Sequence, residues 1–342
     1  EEWGRLTQRP ARIPQAGMVA LGRALADPAL IEKFQKAYAA HVAQFKALCP
    51  GLGKLVCIDG QVEGALSLPA WTAGQPVTPP DVRHEPEDLV AIMPTGGTTG
   101  LPKGVMQTNR NLGLSLLNGI VNSHYPVGDP IVNLAAAPMT HTAGFLSLSA
   151  SARGGTVVVL TKPDPLSLLD VIEQQRVTEL FLPPTVIYRL LEVPGIEQRD
   201  FSSLRYLMYG AAPMALEKLR RAIEVFGPVM FQGYGQTEAP GSIAFLRTGD
   251  HLVDGKVAPD SRLSACGLPA VTNTLAILDE QGRALPQGQS GEICVRGDIV
   301  MKGYYKQPEK TAEAIVDGWL HTGDVGHLDA EGYLHITDRK KD

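Results

Sequence analysis

The sequence predicts an α/β fold: layered α/β sheets flanked by helices, joined to a smaller, β-barrel-like subdomain. Between about residues 89 and 231, short apolar runs typical of buried strands alternate with segments of helical periodicity. After about residue 241, few segments keep a helical pattern, and short strands and turns take over. The chain has 342 residues, 44% of them hydrophobic, which is ample material for such a core.

In the first 88 residues the pattern is less regular. A helix is expected from Pro28, with Asp27 as its N-cap residue and an apolar stripe that reaches Phe45. A short strand is expected at residues 54–58. Residues 60–88 are rich in Pro and acidic residues, which predicts a surface connection.

From residue 89 onwards, each apolar run and each helical stripe predicts one element. Strands are predicted at residues 89–93, 131–136, 156–160, 179–182, 204–208 and 229–231, and helices at 166–176, 185–191 and 215–226. Further strands are predicted at residues 275–278, 291–296 and 333–337, with turns at 279–282 and 329–332. The predicted division is α/β subdomains over residues 1–240, a mostly β subdomain over 241–337, and a hinge at 338–342.

Composition and charge exclude several classes of protein. The chain carries 31 Lys and Arg against 36 Asp and Glu, a net charge of −5, which argues against a general nucleic-acid or anionic-membrane binder. Residues 131–160 are the most apolar, but polar residues interrupt them, so no membrane span is expected. The cysteines form no C-x-x-C pair, and His321, His327 and His335 lack zinc-ligand spacing. With no visible signal peptide, these features predict a cytoplasmic protein with reduced thiols.

A glycine- and threonine-rich loop follows the strand predicted at residues 89–93. Residues 94–104 have the sequence P-T-G-G-T-T-G-L-P-K-G. The glycines let backbone N–H groups approach an anion, the threonines add hydroxyls, and Lys103 adds a positive charge. This inventory suits a polyphosphate, although the loop does not match the Walker pattern.

Four further segments follow in chain order. They are G-A-A-P at residues 210–213, Q-G-Y-G-Q-T-E at 232–238, G-W-L-H-T-G-D at 318–324 and D-R-K-K at 338–341. With the loop, they resemble the motifs of the AMP-forming adenylating enzymes, which include acyl-CoA synthetases, firefly luciferases and peptide-synthetase adenylation domains. Five matches in the family's order across residues 89–342 make the resemblance specific.

The resemblance implies a role for each matching residue. The β- and γ-phosphates of ATP would be held by Thr95, Gly96, Gly97, Thr98, Thr99, Gly100 and Lys103. The adenylate would contact Gly210, Ala211, Ala212 and Pro213, and the nucleotide motif comprises Gln232, Gly233, Tyr234, Gly235, Gln236 and Thr237. Within that motif, Tyr234 would stack on adenine, and Thr237 would contact the α-phosphate. Glu238 would hold Mg²⁺, because a hard cation prefers oxygen ligands. Asp324 and Arg339 would bind the ribose, and Lys341 would be the hinge residue.

An acyl pocket is implied beside the nucleotide. His141 resembles a family histidine at the junction of the acyl and pyrophosphate sites, and the pocket is expected around His141, Tyr209, Gly210 and Gly233. Catalytic roles are implied for Thr98, Lys103, His141, Thr237 and Glu238.

The activity implied is that of an AMP-forming acyl-CoA synthetase. It would convert a carboxylate and ATP to an acyl-adenylate and then transfer the acyl group to coenzyme A. The amino-acid sequences of residues 95–100 and 296–305 are most similar to those of fatty-acid and aryl CoA ligases. An adenylation domain that loads a carrier protein and a noncatalytic nucleotide-binding fragment stay open, as does a homodimer. An esterase is disfavoured because no G-x-S-x-G motif occurs.

The resemblance is incomplete at both ends of the chain. It is poor before about residue 34, so part of the first subdomain is expected to be missing or replaced. The family's C-terminal domain, with its catalytic lysine and coenzyme A surface, is expected to be absent. The chain alone is therefore expected to bind nucleotide but to be catalytically impaired.

Overall fold

The computed structural model describes residues 42–43, 47, 55–57, 61–78, 83–95, 103–137, 139, 142–160 and 163–340. The chain divides into two compact units, Glu1–Arg83 and His84–Asp342.

In the first unit, strand β1 (Val56–Cys57) pairs in parallel with β2 (Leu66–Ser67). Helix α1 (Leu68–Thr72) follows, and the Ser67 side chain caps it by accepting a hydrogen bond from the Ala70 amide. The strand predicted at residues 54–58 is thus present at β1. The helix predicted from Pro28 lies outside the described residues, apart from the helical positions 42–43 and 47.

The second unit begins with an antiparallel hairpin of β3 (Leu89–Thr95) and β4 (Lys103–Thr108). Strand β16 (Gly303–Tyr304) pairs with the other edge of β4. The prediction of a strand at residues 89–93 is confirmed, but the prediction that it is buried is wrong. Leu89, Val90 and Ile92 are 42–46% exposed, because β3 lies at the edge of a small antiparallel sheet. Buried apolar runs are instead typical of central parallel strands.

A seven-stranded sheet forms the centre of this unit. In chain order its strands are β5 (Val132–Ala135), β6 (Thr156–Val159), β7 (Glu179–Phe181), β8 (Tyr206–Gly210), β9 (Met230–Gln236), β10 (Ala239–Leu246) and β13 (Leu268–Pro269). Between β10 and β13 in the sequence, β11 (Leu252–Val253) and β12 (Lys256–Val257) form a separate short hairpin. The spatial order is β13-β10-β9-β8-β7-β5-β6. Strands β5 to β9 run parallel, and β10 pairs antiparallel with both of its neighbours, β9 and β13. The predicted alternation of strands and helices is confirmed.

The helices of this unit are α2 (Asn109–Asn122), α3 (Thr142–Ala152), α4 (Pro165–Gln174), α5 (Pro184–Leu191), α6 (Leu216–Phe226), α7 (Asp260–Leu263) and α8 (Pro308–Ala314). Single 3₁₀ turns lie at Ile196–Gln198 and Thr248–His251. Helix α6 shows why the sequence pattern worked: Leu219, Ile223 and Phe226 recur at helical spacing and are buried in the main core. The helix ends at Gly227, whose φ of 85° favours glycine.

A second, antiparallel sheet contains β14 (Thr274–Leu278), β15 (Gly291–Arg296), β18 (Trp319–Leu328) and β17 (Ile315–Val316) in that order, and β19 (Leu334–Arg339) also pairs with β18. This is the mostly β region that the sequence predicts. The boundary predicted between residues 240 and 241 stays a prediction, but β10 crosses it as a member of the seven-stranded sheet.

Candidate functional site

The described ends of the glycine-rich loop lie directly opposite each other. Thr95 closes β3 and Lys103 opens β4, and the two are partners in the hairpin register. The predicted phosphate ligands Gly96, Gly97, Thr98, Thr99 and Gly100 lie outside the described residues. The hairpin therefore holds the two ends of the loop together, and Lys103 is the first described residue after the loop.

Lys103 is connected to Glu238 through a residue that sequence reasoning missed. The Lys103 Nζ atom lies 4.7 Å from the ring centre of Tyr304. The Tyr304 hydroxyl donates a 2.8 Å hydrogen bond to Glu238 Oε1. Burial, and then the Glu238 carboxylate, raise the pKa of this phenol. Tyr304 belongs to the segment 296–305, which was noted in the sequence only for its similarity to fatty-acid and aryl CoA ligases.

The Glu238 carboxylate has the chemistry of a magnesium ligand. Among the residues that the structure describes, Tyr304 is the only side chain that hydrogen-bonds it. An ionised carboxylate offers about four acceptor positions. The remaining oxygen capacity therefore fits a hard divalent cation.

Strand β9 contributes hydrogen bonds to Asp324 and part of the lining of a cavity. The Tyr234 hydroxyl donates a 2.6 Å hydrogen bond to Asp324 Oδ2, and Gln236 Nε2 donates a 2.9 Å bond to the same oxygen. Gly233 and Gly235, which alternate with them, line an apolar cavity. The predicted stacking of Tyr234 on adenine stays a prediction, and its observed partner is Asp324.

Asp324 and Arg339 face each other on neighbouring strands. They are register partners of β18 and β19, and Arg339 Nε lies 3.6 Å from Asp324 Oδ1. The Asp324 side chain is 13% exposed, whereas the Arg339 side chain is 78% exposed. The structure thus brings together the two residues that the resemblance assigns to the ribose. Lys341 lies outside the described residues.

The G-A-A-P segment follows β8 at the carboxyl end of the parallel strands. A Cβ atom added to Gly210 would lie 2.5 Å from the carbonyl oxygen of Gly233, so glycine permits the close approach of β8 and β9. Ala211 has a φ of 63°, in the left-handed region, and it lines the cavity. Ala211, Ala212 and Pro213 are all exposed. Ligands of open α/β sheets bind at this edge.

The apolar cavity has a volume of about 370 Å³. Its lining residues are mostly apolar or small and include Met93, Phe145, Leu146, Phe181, Met208, Tyr209, Ala211, Phe231, Gly233, Gly241 and Phe245. Tyr209 and Gly233 were expected in an acyl pocket, and both line this cavity. Gly210 is not among its lining residues, and His141 lies outside the described residues.

Tyr209 is fixed by a buried histidine that sequence reasoning also missed. The Tyr209 hydroxyl lies 2.9 Å from His251 Nε2, and His251 Nδ1 lies 2.8 Å from the Arg247 carbonyl oxygen. Because a carbonyl oxygen only accepts, Nδ1 donates to it and the Tyr209 hydroxyl donates to Nε2. Burial lowers the pKa of His251 to about 4, against the opposing effects of the Arg247 carbonyl and Asp250. His251 therefore stays neutral at pH 7.

Thr237 lies between the cavity and the glutamate. It lines the cavity, and its carbonyl oxygen accepts a 3.2 Å hydrogen bond from the buried side chain of Gln107. Residues 236–238 therefore connect three places. Gln236 bonds Asp324 and, like Thr237, lines the cavity, whereas Glu238 bonds Tyr304, whose ring contacts Lys103.

A separate cluster of Glu292, Cys294 and His321 lies near Asp324, with its ligand-type atoms within 4.8 Å of one another. Sequence spacing did not predict it, because β15 and β18 bring these residues together across the sheet. The Lys340 ammonium, 3.2 Å from Glu292 Oε2, provides a positive charge that balances this carboxylate. His321 Nδ1 lies 2.8 Å from the same oxygen. Burial, and then the charge of Glu292, raise the pKa of Cys294 to about 12, so its thiol keeps its proton.

Comparisons with known proteins place the chain in a family. The model of the family described as AMP-binding enzyme matches residues 20–305. The chain is 37% identical to the medium/long-chain-fatty-acid–CoA ligase FadD8 of Mycobacterium tuberculosis, over 86% of this chain and 48% of that protein. It is also 37% identical to a feruloyl-CoA synthase of an Amycolatopsis species, over 77% of this chain and 52% of that protein.

A solved structure gives the same result. The amide bond synthetase McbA from Marinactinospora thermotolerans superimposes with a TM-score of 0.75 and 35% identity, over 88% of this chain and 58% of that one. The chain belongs to the AMP-binding enzyme family, as the five motifs predicted. It spans about half the length of the curated relatives it matches. Among the described residues, no helix is both long and apolar enough to cross a membrane.

Proposed function

We propose that this chain carries the nucleotide and acyl sites of an AMP-forming acyl-CoA synthetase. The observation that carries the proposal is the succession at residues 236–238. Gln236 hydrogen-bonds Asp324, the partner of Arg339. Thr237 lines the apolar cavity, and Glu238 hydrogen-bonds Tyr304, whose ring contacts Lys103. A nucleotide whose ribose lies at Asp324 and whose outer phosphates lie at Lys103 has its α-phosphate beside Thr237, at the mouth of the cavity.

The proposed reaction has two steps. A carboxylate oxygen of the acid attacks the α-phosphorus of ATP, the bond from that phosphorus to the bridging oxygen breaks, and pyrophosphate leaves. The sulfur of coenzyme A then attacks the acyl carbon, AMP leaves with the former carboxylate oxygen, and the thiol proton passes to solvent. Because two anions meet in the first step, the main tasks of the protein are positioning and charge neutralisation.

Charge neutralisation falls to few residues in the described part of the site. Lys103 supplies one positive charge beside the outer phosphates, and Glu238 offers its carboxylate to Mg²⁺. A bound Mg²⁺ would neutralise charge on the departing pyrophosphate. Asp324 accepts hydrogen bonds and would orient the nucleotide by its ribose hydroxyls.

The cavity points to an apolar acid as substrate. At about 370 Å³ it accommodates either a medium-length alkyl chain or an aromatic ring. This agrees with the names of the two relatives, one a fatty-acid and the other a feruloyl ligase. We propose fatty or aryl carboxylates as the substrate class and a cytoplasmic location for the enzyme.

The acceptor of the second step has a specific alternative. McbA is named an amide bond synthetase, so an amine is the alternative acceptor for the acyl group in this protein. The acyl-adenylate step is common to both proposals and to the loading of a carrier protein. Incubation of the preformed acyl-adenylate with coenzyme A or with simple amines separates them, and we expect thioester with coenzyme A.

We further propose that residues 1–342 alone bind nucleotide but form acyl-adenylate slowly. The chain matches about half of each curated relative. The resemblance assigns a catalytic lysine and the coenzyme A surface to the half that is not matched. Loss of such a charge-stabilising group commonly costs on the order of 10²–10³ in rate.

A binding experiment tests the joined nucleotide and acyl sites. The probes are AMP and a non-hydrolysable adenosine carrying an octanoyl or feruloyl group through a sulfamate. Because the acylated probe fills both sites, we expect it to bind about 100-fold more tightly than AMP. Equal affinities would contradict the assignment of the cavity.

A matched pair of variants on helix α3 sharpens this test. Leu146 lines the cavity, whereas Leu148 on the same helix is 43% exposed. We expect Leu146→Trp to weaken the acylated probe at least about tenfold and to leave AMP binding little changed, because the indole fills the cavity. Leu148→Trp should change neither affinity. Equal weakening of both probes by Leu146→Trp would remove the acyl role of the cavity.

A further inference from the structure

Tyr304 lies between two residues that belong to different sequence motifs. Its hydroxyl donates a 2.8 Å hydrogen bond to Glu238 Oε1, and Lys103 Nζ lies 4.7 Å from its ring centre. Tyr304 is only 6% exposed, so its ring is held by packing. The three residues are far apart in sequence, and the fold alone brings them together.

The backbone around Tyr304 is bonded to both of its partners' strands. The Met301 amide donates a 2.8 Å hydrogen bond to the Glu238 carbonyl oxygen, and the Tyr305 amide donates a 2.7 Å bond to the Gly104 carbonyl oxygen. Tyr304 itself is paired with Val105 of β4. The segment 301–305 therefore connects the strand that Lys103 opens to the turn that carries Glu238.

The ring and the hydroxyl of Tyr304 perform separate tasks. The hydroxyl donates the hydrogen bond to Oε1, because an ionised carboxylate only accepts hydrogen bonds. This bond fixes the plane of the carboxylate and leaves acceptor capacity on Oε2. The ring face meanwhile attracts the Lys103 ammonium through a cation–π contact.

We propose that Tyr304 is a positioning residue that holds Glu238 and Lys103 in the arrangement that receives a magnesium-bound triphosphate. The inference rests on the proposed function, because it extends the roles of Glu238 and Lys103 given there. The hydroxyl acts on the metal end through Glu238. The ring acts on the phosphate end through Lys103.

Two substitutions at this position separate the tasks. Tyr304→Phe removes the hydroxyl and keeps the ring. We expect it to raise the Mg²⁺ concentration for half-maximal ATP binding about tenfold, because loss of a partner that orients a metal ligand commonly costs 10–100-fold in metal affinity. Metal-free ATP and AMP should bind this variant as they bind the wild-type chain. Tyr304→Leu removes the ring as well, so it should also weaken metal-free ATP relative to AMP.

The measurement is calorimetry with ATP over a Mg²⁺ series, with ATP in a chelator, and with AMP, alongside the melting temperature of each variant. Tyr305→Phe is the matched control, because the Tyr305 ring contacts Lys306 and is 44% exposed. It should leave every affinity unchanged. In a Glu238→Gln background, Tyr304→Phe should have no further effect on the Mg²⁺ dependence, since it acts through Glu238.

The results that would overturn the inference are distinct. An unchanged Mg²⁺ dependence in Tyr304→Phe, with magnesium-ATP still bound by the wild-type chain, would overturn the positioning role. Equal weakening of AMP and magnesium-ATP would show that Tyr304 only supports the fold. If the wild-type chain shows no Mg²⁺-dependent ATP binding, the proposed function fails first and the inference falls with it.

Discussion

Replacing Asp324 with Asn changes a buried carboxylate into a neutral amide of nearly the same shape. In the structure, Asp324 Oδ2 accepts hydrogen bonds of 2.6 Å from Tyr234 and 2.9 Å from Gln236. The amide oxygen of Asn can occupy this position and keep both bonds. Its NH₂ group then replaces Oδ1, where Arg339 lies 3.6 Å away and the ribose is proposed to bind. An acceptor for the ribose hydroxyls becomes a donor.

The magnitude follows from these contacts. A hydrogen bond to a charged group contributes about 1.5–3 kcal/mol and a neutral one about 0.5–1.5 kcal/mol. Two weakened bonds therefore lower the free energy of unfolding by about 2 kcal/mol. Arg339 adds little, because its side chain is 78% exposed. Loss of one charge-assisted bond to ribose should weaken AMP and ATP alike, by about 10- to 150-fold.

The assay is calorimetry with AMP and ATP, with the melting temperature measured in parallel. Tyr234→Phe is the matched control, because it removes one donor to Asp324 but keeps the carboxylate and the aromatic ring. We expect it to lower the melting temperature and to weaken AMP far less than Asp324→Asn does. A lowered melting temperature of Asp324→Asn with unchanged AMP affinity would refute the ribose role and leave Asp324 a structural residue.

Three further predictions follow from other contacts. Lys103→Ala should cost ATP about 1.5–3 kcal/mol and AMP much less by calorimetry, because the ammonium is proposed to face the outer phosphates. Lys302→Ala should change neither affinity, and equal losses for both nucleotides would contradict the phosphate role. His251, with its pKa lowered from 6.5 to about 4, contributes stability that is fully present above pH 6.5 and is lost as the pH falls towards 4. The urea midpoint of the wild-type chain should therefore fall as the pH is lowered from 6.5 to about 4. If the midpoint of a His251→Gln variant falls by the same amount over this range, the prediction is contradicted. Gly210→Ala should lower the free energy of unfolding in urea by at least about 1–3 kcal/mol, because its Cβ would lie 2.5 Å from a backbone oxygen. Gly113 lies on the exposed face of a helix, and a Cβ added there would have nothing within 4 Å. Gly113→Ala should therefore stabilise the chain by up to about 1 kcal/mol.

Much of the central fold was predictable from the sequence, because its elements obey simple periodicities. The strands of the seven-stranded sheet from β5 to β9 are short apolar runs, and α6 buries one apolar stripe. Helix α2 was missed for a physical reason. Its buried residues are Asn111, Ser115, Asn118 and Asn122, so its buried face is polar and docks by hydrogen bonds. A polar buried face is invisible to hydrophobic periodicity.

The candidate site was predictable only where a motif marks it. Asp324, Arg339, Glu238 and Lys103 were found by resemblance, and the structure groups them around residues 236–238. Tyr304 was not predicted, because its role depends on a contact across 66 residues of sequence to Glu238. His251 was missed for the same reason, since only the fold shows that it hydrogen-bonds Tyr209. Tertiary contacts of this kind leave no local pattern.

The central claim is that this site joins an apolar carboxylate to AMP. The most direct measurement is a single-turnover reaction of the full-length gene product with ATP, Mg²⁺ and a panel of fatty and aryl acids, followed by chromatography and mass spectrometry of the nucleotides. We predict carboxylate-dependent release of pyrophosphate and an acyl-AMP with the mass of the mixed anhydride, at a rate reduced by Glu238→Gln. Formation of ADP and phosphate, or release of pyrophosphate that is the same with and without any acid, would contradict the account.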